Sequence, residues 1–181
     1  MINETYKDKE ILKPIKEILG EQGSIQLQEF LTIEGCESLK NKEFKRKYKP
    51  EEYSFKSISL KNKKLKEEIK RLLKDLELKE LKLISSNFFQ FGHKDYTLLN
   101  DKKNEKEGIT LFIELTKNWK EESRGYTSFI ENNTEVLRII PKENSVTIIK
   151  TNEKMKSFIK YINNQTEENK REFIELKYKS L

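Results

Sequence analysis

The sequence predicts an α+β chain: a double-stranded β-helix, or jelly roll, with N-terminal helices packed on one outer face. Three observations predict it. Helical periodicity is confined to about the first 80 residues. From residue 81 onward, eight short segments rich in Ile, Phe, Tyr, Val and Thr alternate with turn-like stretches, the rhythm of a sandwich or barrel. The clearest helix carries its apolar residues in one stripe, which a single sheet face would cover. With 181 residues, one domain spanning 1–181 is expected, helical over about 1–80 and β-rich over about 81–178.

The elements follow in order. Ile11, Leu12, Ile15, Ile18 and Leu19 recur at helical spacing, so residues 5–19 read as a helix, loosened at Pro14 and stopped at Gly20. Ser24 to Gln28 alternates with period two, a half-buried strand. Thr32 can cap a short helix carrying Ile33, Cys36 and Leu39, with Glu34 favourable in its first turn. A basic, Tyr-containing loop is expected next. Residues 61–80 form the main helix, with Leu65, Ile69, Leu72, Leu73 and Leu76 on one side of a charged cylinder. Strands are then expected at 81–91, 94–100, 109–116, 126–131, 135–140, 145–150, 157–163 and 172–178.

Composition narrows the function classes. Apolar residues make up 34 % of the chain, and ten Phe, seven Tyr and one Trp supply bulk where alanine is absent. No apolar run approaches the roughly 20 residues that cross a bilayer, and the charged N-terminus has no secretory core, so no membrane partner and a cytoplasmic location are expected. The single Cys36 fits a reducing compartment. The net charge of +6 invites a nucleic-acid partner, but 32 of the 37 basic residues are Lys spread along the chain. Only Lys45–Lys49 and Lys61–Lys64 are dense, and acidic residues follow both.

Five segments, taken in order, carry a resemblance. SIQLQEFLTIEGCESLKN, FGHKDYTLLND, ITLFIELTKNWKEESRGYTSFI, PKENSVTIIK and KREFIELKY together resemble the prolyl-hydroxylase-like 2-oxoglutarate/Fe(II)-dependent oxygenases. The resemblance runs from about residue 24 to residue 178 and implies the jelly-roll fold. It also implies that KREFIELKY supplies Arg171 to an oxoglutarate carboxylate. Trp119 and Gly125 fall in the family's Trp turn and Gly pair and read as turn and core residues, with Arg124 replacing the first Gly.

The departures fall on the metal ligands. The family holds Fe(II) with two His and one carboxylate, and this chain has one histidine, His93. The resemblance places Asn100 at the first His, Lys102 at the carboxylate and Lys156, a dozen residues past Asn144, at the distal His. A lysine, with a reference pKa of roughly 10.4, offers no lone pair at neutral pH. No metal and no cofactor are therefore expected. Two arrangements of the cations stay open: Lys102, Lys156 and Arg171 line the barrel mouth and hold an anion, or the lysines turn outward or pair with Asp101, Glu105 or Glu153. His93 and Asp95 spell His-x-Asp, an alternative half-set of ligands, but seven residues ahead of the expected position and without a second His.

Other chemistries lack their residues. There is no Gly-rich phosphate loop and no Cys/His zinc spacing. Cys36, Ser85, Ser86 and Ser123 have no visible base. The function expected is thus that of an oxygenase-like protein, non-catalytic, binding a protein partner or an anion. The alternative is an active prolyl-type hydroxylase using Fe(II) and 2-oxoglutarate in a rearranged site. A further alternative is an RNA- or ribosome-associated basic protein.

Overall fold

A computed structural model describes residues 1–40, 42–78, 80–99, 107–166 and 168–181. Asn100, Asp101, Lys102 and Glu105 lie outside these described residues.

The N-terminal helix is split. Asn3 caps a 3-10 turn over Glu4–Lys7, and Asp8 caps α1, Lys9–Gln22, by accepting from the Glu10 amide at 2.9 Å. Pro14 lies inside α1, and the helix runs past Gly20 to stop at Gly23, φ 73°. A stop needs a residue free to turn left-handed, and Gly23, not Gly20, is so placed. β1 spans Ser24–Leu27, and Thr32 caps the short α2, Ile33–Glu37, through the Gly35 amide at 3.0 Å.

The expected basic loop is instead a hairpin of β2, Lys45–Lys49, and β3, Tyr53–Ser59, paired Lys47 to Phe55. Every residue of β2 is exposed. With no buried face, the strand shows no hydrophobic alternation to read, and its lysines guard a sheet edge.

α3, Lys63–Asp75, is capped by Asn62 and buries Leu65, Ile69, Leu72 and Leu73. It ends earlier than residue 80 because Glu77 adopts φ 54°, letting the Leu78 amide bond the Leu73 carbonyl and the Glu77 amide that of Lys74. This crossed pair of bonds closes the last turn without a glycine.

Eight further strands follow: β4 Leu81–Phe91, β5 Tyr96–Thr97, β6 Gly108–Glu114, β7 Thr127–Glu131, β8 Thr134–Ile139, β9 Ser145–Thr151, β10 Lys156–Ile159 and β11 Arg171–Ser180. All pairings among the described residues are antiparallel, in the order β1-β9-β6-β11-β4-β3-β5-β10-β7-β8, with β2 on β3. β3 joins the two halves by pairing with both β4 and β5.

Alternation sends successive residues of each strand to opposite faces, and this builds two cores. Phe88, Leu111, Ile113, Val146, Ile148, Ile174 and Leu176 face outward, against the apolar sides of α1 and α3. Phe91, Phe112, Phe129, Ile149, Ile159 and Phe173 face inward and fill part of the jelly roll. The helices therefore cover one outer face. No helix among the described residues is long and apolar enough to cross a membrane.

Candidate functional site

β11 carries the deepest charge of the inner face. Its inward residues are Arg171, Phe173, Glu175 and Lys177, while Ile174, Leu176 and Tyr178 point to the helices. Arg171 is 0 % exposed, which a permanent cation tolerates only with every donor satisfied. Its Nε and Nη2 donate to Glu114 Oε2 at 3.1 and 2.9 Å, and its Nη1 donates to the Gly125 carbonyl at 2.6 Å and Thr127 Oγ1 at 2.9 Å. The guanidinium lies 4.5 Å over the Phe173 ring, a favourable cation–π contact. Glu114 is 2 % exposed, and its other oxygen accepts from Thr116 Oγ1 at 2.5 Å. No buried side-chain polar atom among the described residues lacks a partner.

Above this ion pair opens a cavity of about 820 Å³, the size of a ligand pocket. Phe55, Phe89, Phe91, Phe112, Phe158 and Phe173 line it. The rings touch: Phe89 stacks on Phe173 at 5.2 Å, Phe91 on Phe173 at 5.8 Å, and Phe55 lies 5.4 Å from both Phe89 and Phe91. Thr97, Thr127 and Ser157 add hydroxyls, Leu98 and Leu99 form an apolar lip, and Glu51, Glu52, Glu175 and Lys177 bring charge to the rim. Three of these four charges are matched: Lys177 pairs with Glu175 at 3.4 Å, and Lys49 pairs with Glu52.

The residues singled out from sequence scatter. Arg171 lies beneath the cavity, bound to Glu114. Lys156 opens β10 half-buried, opposite Ile130, while the β10 residues that line the cavity are Ser157, Phe158 and Ile159. Asn100 and Lys102 fall outside the described residues. His93 is exposed in the turn after β4, on a shallow hollow it shares with Glu168, Asn169 and Lys170. Asp95 is 3 % exposed and holds the β2–β3 hairpin in place: it accepts from Ser54 Oγ at 2.7 Å and the Gly92 amide at 2.9 Å, and pairs with Arg46 at 2.7 Å. Neither His93 nor Asp95 lines the aromatic cavity. Trp119 donates to the Arg124 carbonyl at 3.0 Å, packing its turn against Gly125. Arg124 and Gly125 both sit at positive φ, 60° and 67°, so the glycine-type turn persists with Arg in the first position.

Two features escaped sequence reading. Glu114, a carboxylate inside the buried strand GITLFIE, is itself a signal, since a charge in such a run requires a buried partner. The phenyl cavity depends on which strands are neighbours, and no single strand displays that.

The fit to an iron and oxoglutarate site is poor on the residues described. No group of three His, Cys, Asp or Glu among them could hold a metal ion, and one imidazole cannot replace two. The donors of Arg171 are already committed within the protein. No reaction step through either group follows from this arrangement.

Comparison with known proteins places the architecture. No protein-family model matches the chain, and no curated protein matches it in sequence. Among solved structures it is similar to a prolyl hydroxylase from Trichoplax adhaerens in complex with a hypoxia inducible factor oxygen degradation domain peptide fragment. That match has TM-score 0.72 and 13 % identity, covering 96 % of this chain and 91 % of the other. It is similar also to a Pseudomonas putida prolyl-4-hydroxylase, with TM-score 0.69, 10 % identity and coverage of 94 % and 100 %. A third is a viral collagen prolyl hydroxylase from Paramecium Bursaria Chlorella virus-1, solved as its 2OG complex, with TM-score 0.63, 11 % identity and coverage of 91 % and 99 %. These likenesses establish the fold. They also correct one expectation: the neighbours are 2-oxoglutarate/Fe(II) oxygenases, which use both groups, so the expectation of no cofactor, drawn from substituted ligands, is overturned.

Proposed function

We propose, for a chain that carries the jelly roll of the prolyl-hydroxylase-like 2-oxoglutarate/Fe(II) oxygenases, that its barrel mouth serves recognition of a protein partner rather than oxidation of one. A single observation carries this reading. The inner cavity is lined by six phenylalanines, and the guanidinium beneath it is held by Glu114, Gly125 and Thr127. Such a space rewards burial of an apolar group at about 25 cal/mol per Å². Its polar lining includes the hydroxyls of Thr97, Thr127 and Ser157 and the rim carboxylate of Glu51, suited to orienting a bound segment. The neighbour from Trichoplax adhaerens, which holds a peptide, supports a protein segment as the occupant.

The shared fold favours a second reading, that of a hydroxylase, and one experiment separates the two. Peptides selected on the full-length protein from a random display library are incubated with it, Fe(II), 2-oxoglutarate and oxygen. Succinate and peptide mass are then followed. The expected outcome is binding with no succinate above a peptide-free control and no mass gain. A peptide that gains one oxygen atom in step with succinate release contradicts the proposal and establishes a hydroxylase.

A further inference from the structure

Register places lysines beside the aromatic cavity. Residues directly opposite each other in an antiparallel ladder point to the same face. Lys47 lies opposite Phe55, and Lys45 lies opposite Ser57, which lies opposite Phe89. Phe55 and Phe89 wall the cavity, so Lys45 and Lys47 stand on the cavity's side of the sheet. Neighbouring strands are about 4.8 Å apart, which puts Lys47 one strand beyond the cavity wall and Lys45 two. The flexible four-carbon stem of a lysine covers such a distance.

The rim's other charges are largely spent. Lys49 is taken by Glu52 and Lys177 by Glu175. Lys45 and Lys47 are exposed and have no ion-pair partner among the described residues. Leu98 and Leu99, half-exposed, add apolar surface to the lip of the well. The mouth therefore pairs an apolar well with two uncommitted ammonium groups on one side.

We infer that the occupant is an acidic protein segment. It seats one aromatic or bulky aliphatic side chain among Phe55, Phe89, Phe91 and Phe173, with flanking carboxylates against Lys45 and Lys47. The inference rests on the reading of the cavity as a partner site. The well has room for one large apolar side chain together with its flanking residues, and its phenyl lining matches an apolar surface. The lysines select negative flanks, and their exposure makes that contribution salt-dependent.

Fluorescence anisotropy on the full chain tests it, at low and high salt. The probe is a labelled octapeptide with one Phe between two Glu in a Gly/Ser background. Its companions replace Phe by Ala or Glu by Lys, and a labelled oligothymidylate is run beside them. Protein variants are Lys45→Glu with Lys47→Glu, on an exposed edge, and Phe55→Ala. The expected result is that the Glu-flanked Phe peptide binds, weakens on Phe→Ala, and weakens about tenfold at low salt with the double charge reversal. The same reversal improves binding of the Lys-flanked peptide. If the Lys-flanked Phe peptide binds the unaltered protein as well, and Phe55→Ala abolishes binding of both, the acidic inference fails while the cavity reading stands. If no peptide binds, or none responds to Phe55→Ala, both fail. Tighter binding of the oligothymidylate, lost on charge reversal, overturns the inference in favour of a single-stranded nucleic acid.

Discussion

Arg171 and Glu114 are buried together, each with its hydrogen bonds complete. The energetic weight of such a pair lies in what is stranded when one member goes. Glu114→Ala leaves a guanidinium unpaired under phenyl rings and is expected to cost about 3–5 kcal/mol of stability. Replacing both, Glu114→Leu with Arg171→Met, removes the charge along with its partner and should recover most of that loss. Urea unfolding of the three proteins checks this; a double variant no better than Glu114→Ala would show that the pair is not the cause. Tyr178 offers a test through pH. Burial pushes its phenol up to about 12 from an ordinary 10.0. A folded-state pKa above the unfolded one gives stability that is complete below pH 10 and drains away as pH rises toward 12. Alkaline titration by tyrosinate absorbance should show one late group that Tyr178→Phe removes. Titration of that group at the ordinary value would contradict its burial against the helices.

At the scale of elements, α3 holds the sheet's outer face through Leu65, Ile69, Leu72 and Leu73. Ile69, 0 % exposed, is expected to cost about 2–5 kcal/mol when cut to Ala; thermal or urea unfolding measures it, and a change within experimental scatter would mean the helix packs loosely. The stripe that makes this so was legible in the sequence, because an amphipathic helix carries its whole pattern within itself. So did β4, whose 81–91 span was read correctly, and β7 to β9, each to within a residue or two. β2 was not legible. Its five residues are all exposed, and what makes them a strand is pairing with β3, a tertiary fact. The end of α3 ahead of Glu77 was missed for a similar reason: a left-handed turn at a non-glycine residue is fixed by backbone bonds to Leu73 and Lys74 rather than by residue type. The site divides the same way. Arg171 could be picked from its strand, whereas Glu114 as its partner, and the meeting of Phe55, Phe89, Phe112 and Phe173, required the neighbour order of β3, β4, β11 and β6.

The whole molecule is one curled sheet with a core on each face. The outer core joins sheet to helices and is closed; the inner core is closed at the Arg171–Glu114 end and open at the phenyl cavity. This asymmetry puts the proposed recognition surface where β2–β3, β5 and β10 converge. The protein is basic, net +6, with lysines spread along the chain, and Lys45 and Lys47 stand beside the apolar well. The most direct test is hydrogen–deuterium exchange of the full chain with and without a saturating display-selected peptide. The account predicts slowed exchange at the cavity lip, over residues 51–55, 96–99 and 157–159, with α1 and α3 unchanged. Protection confined to the helices, with the lip exchanging as in the free protein, would contradict it.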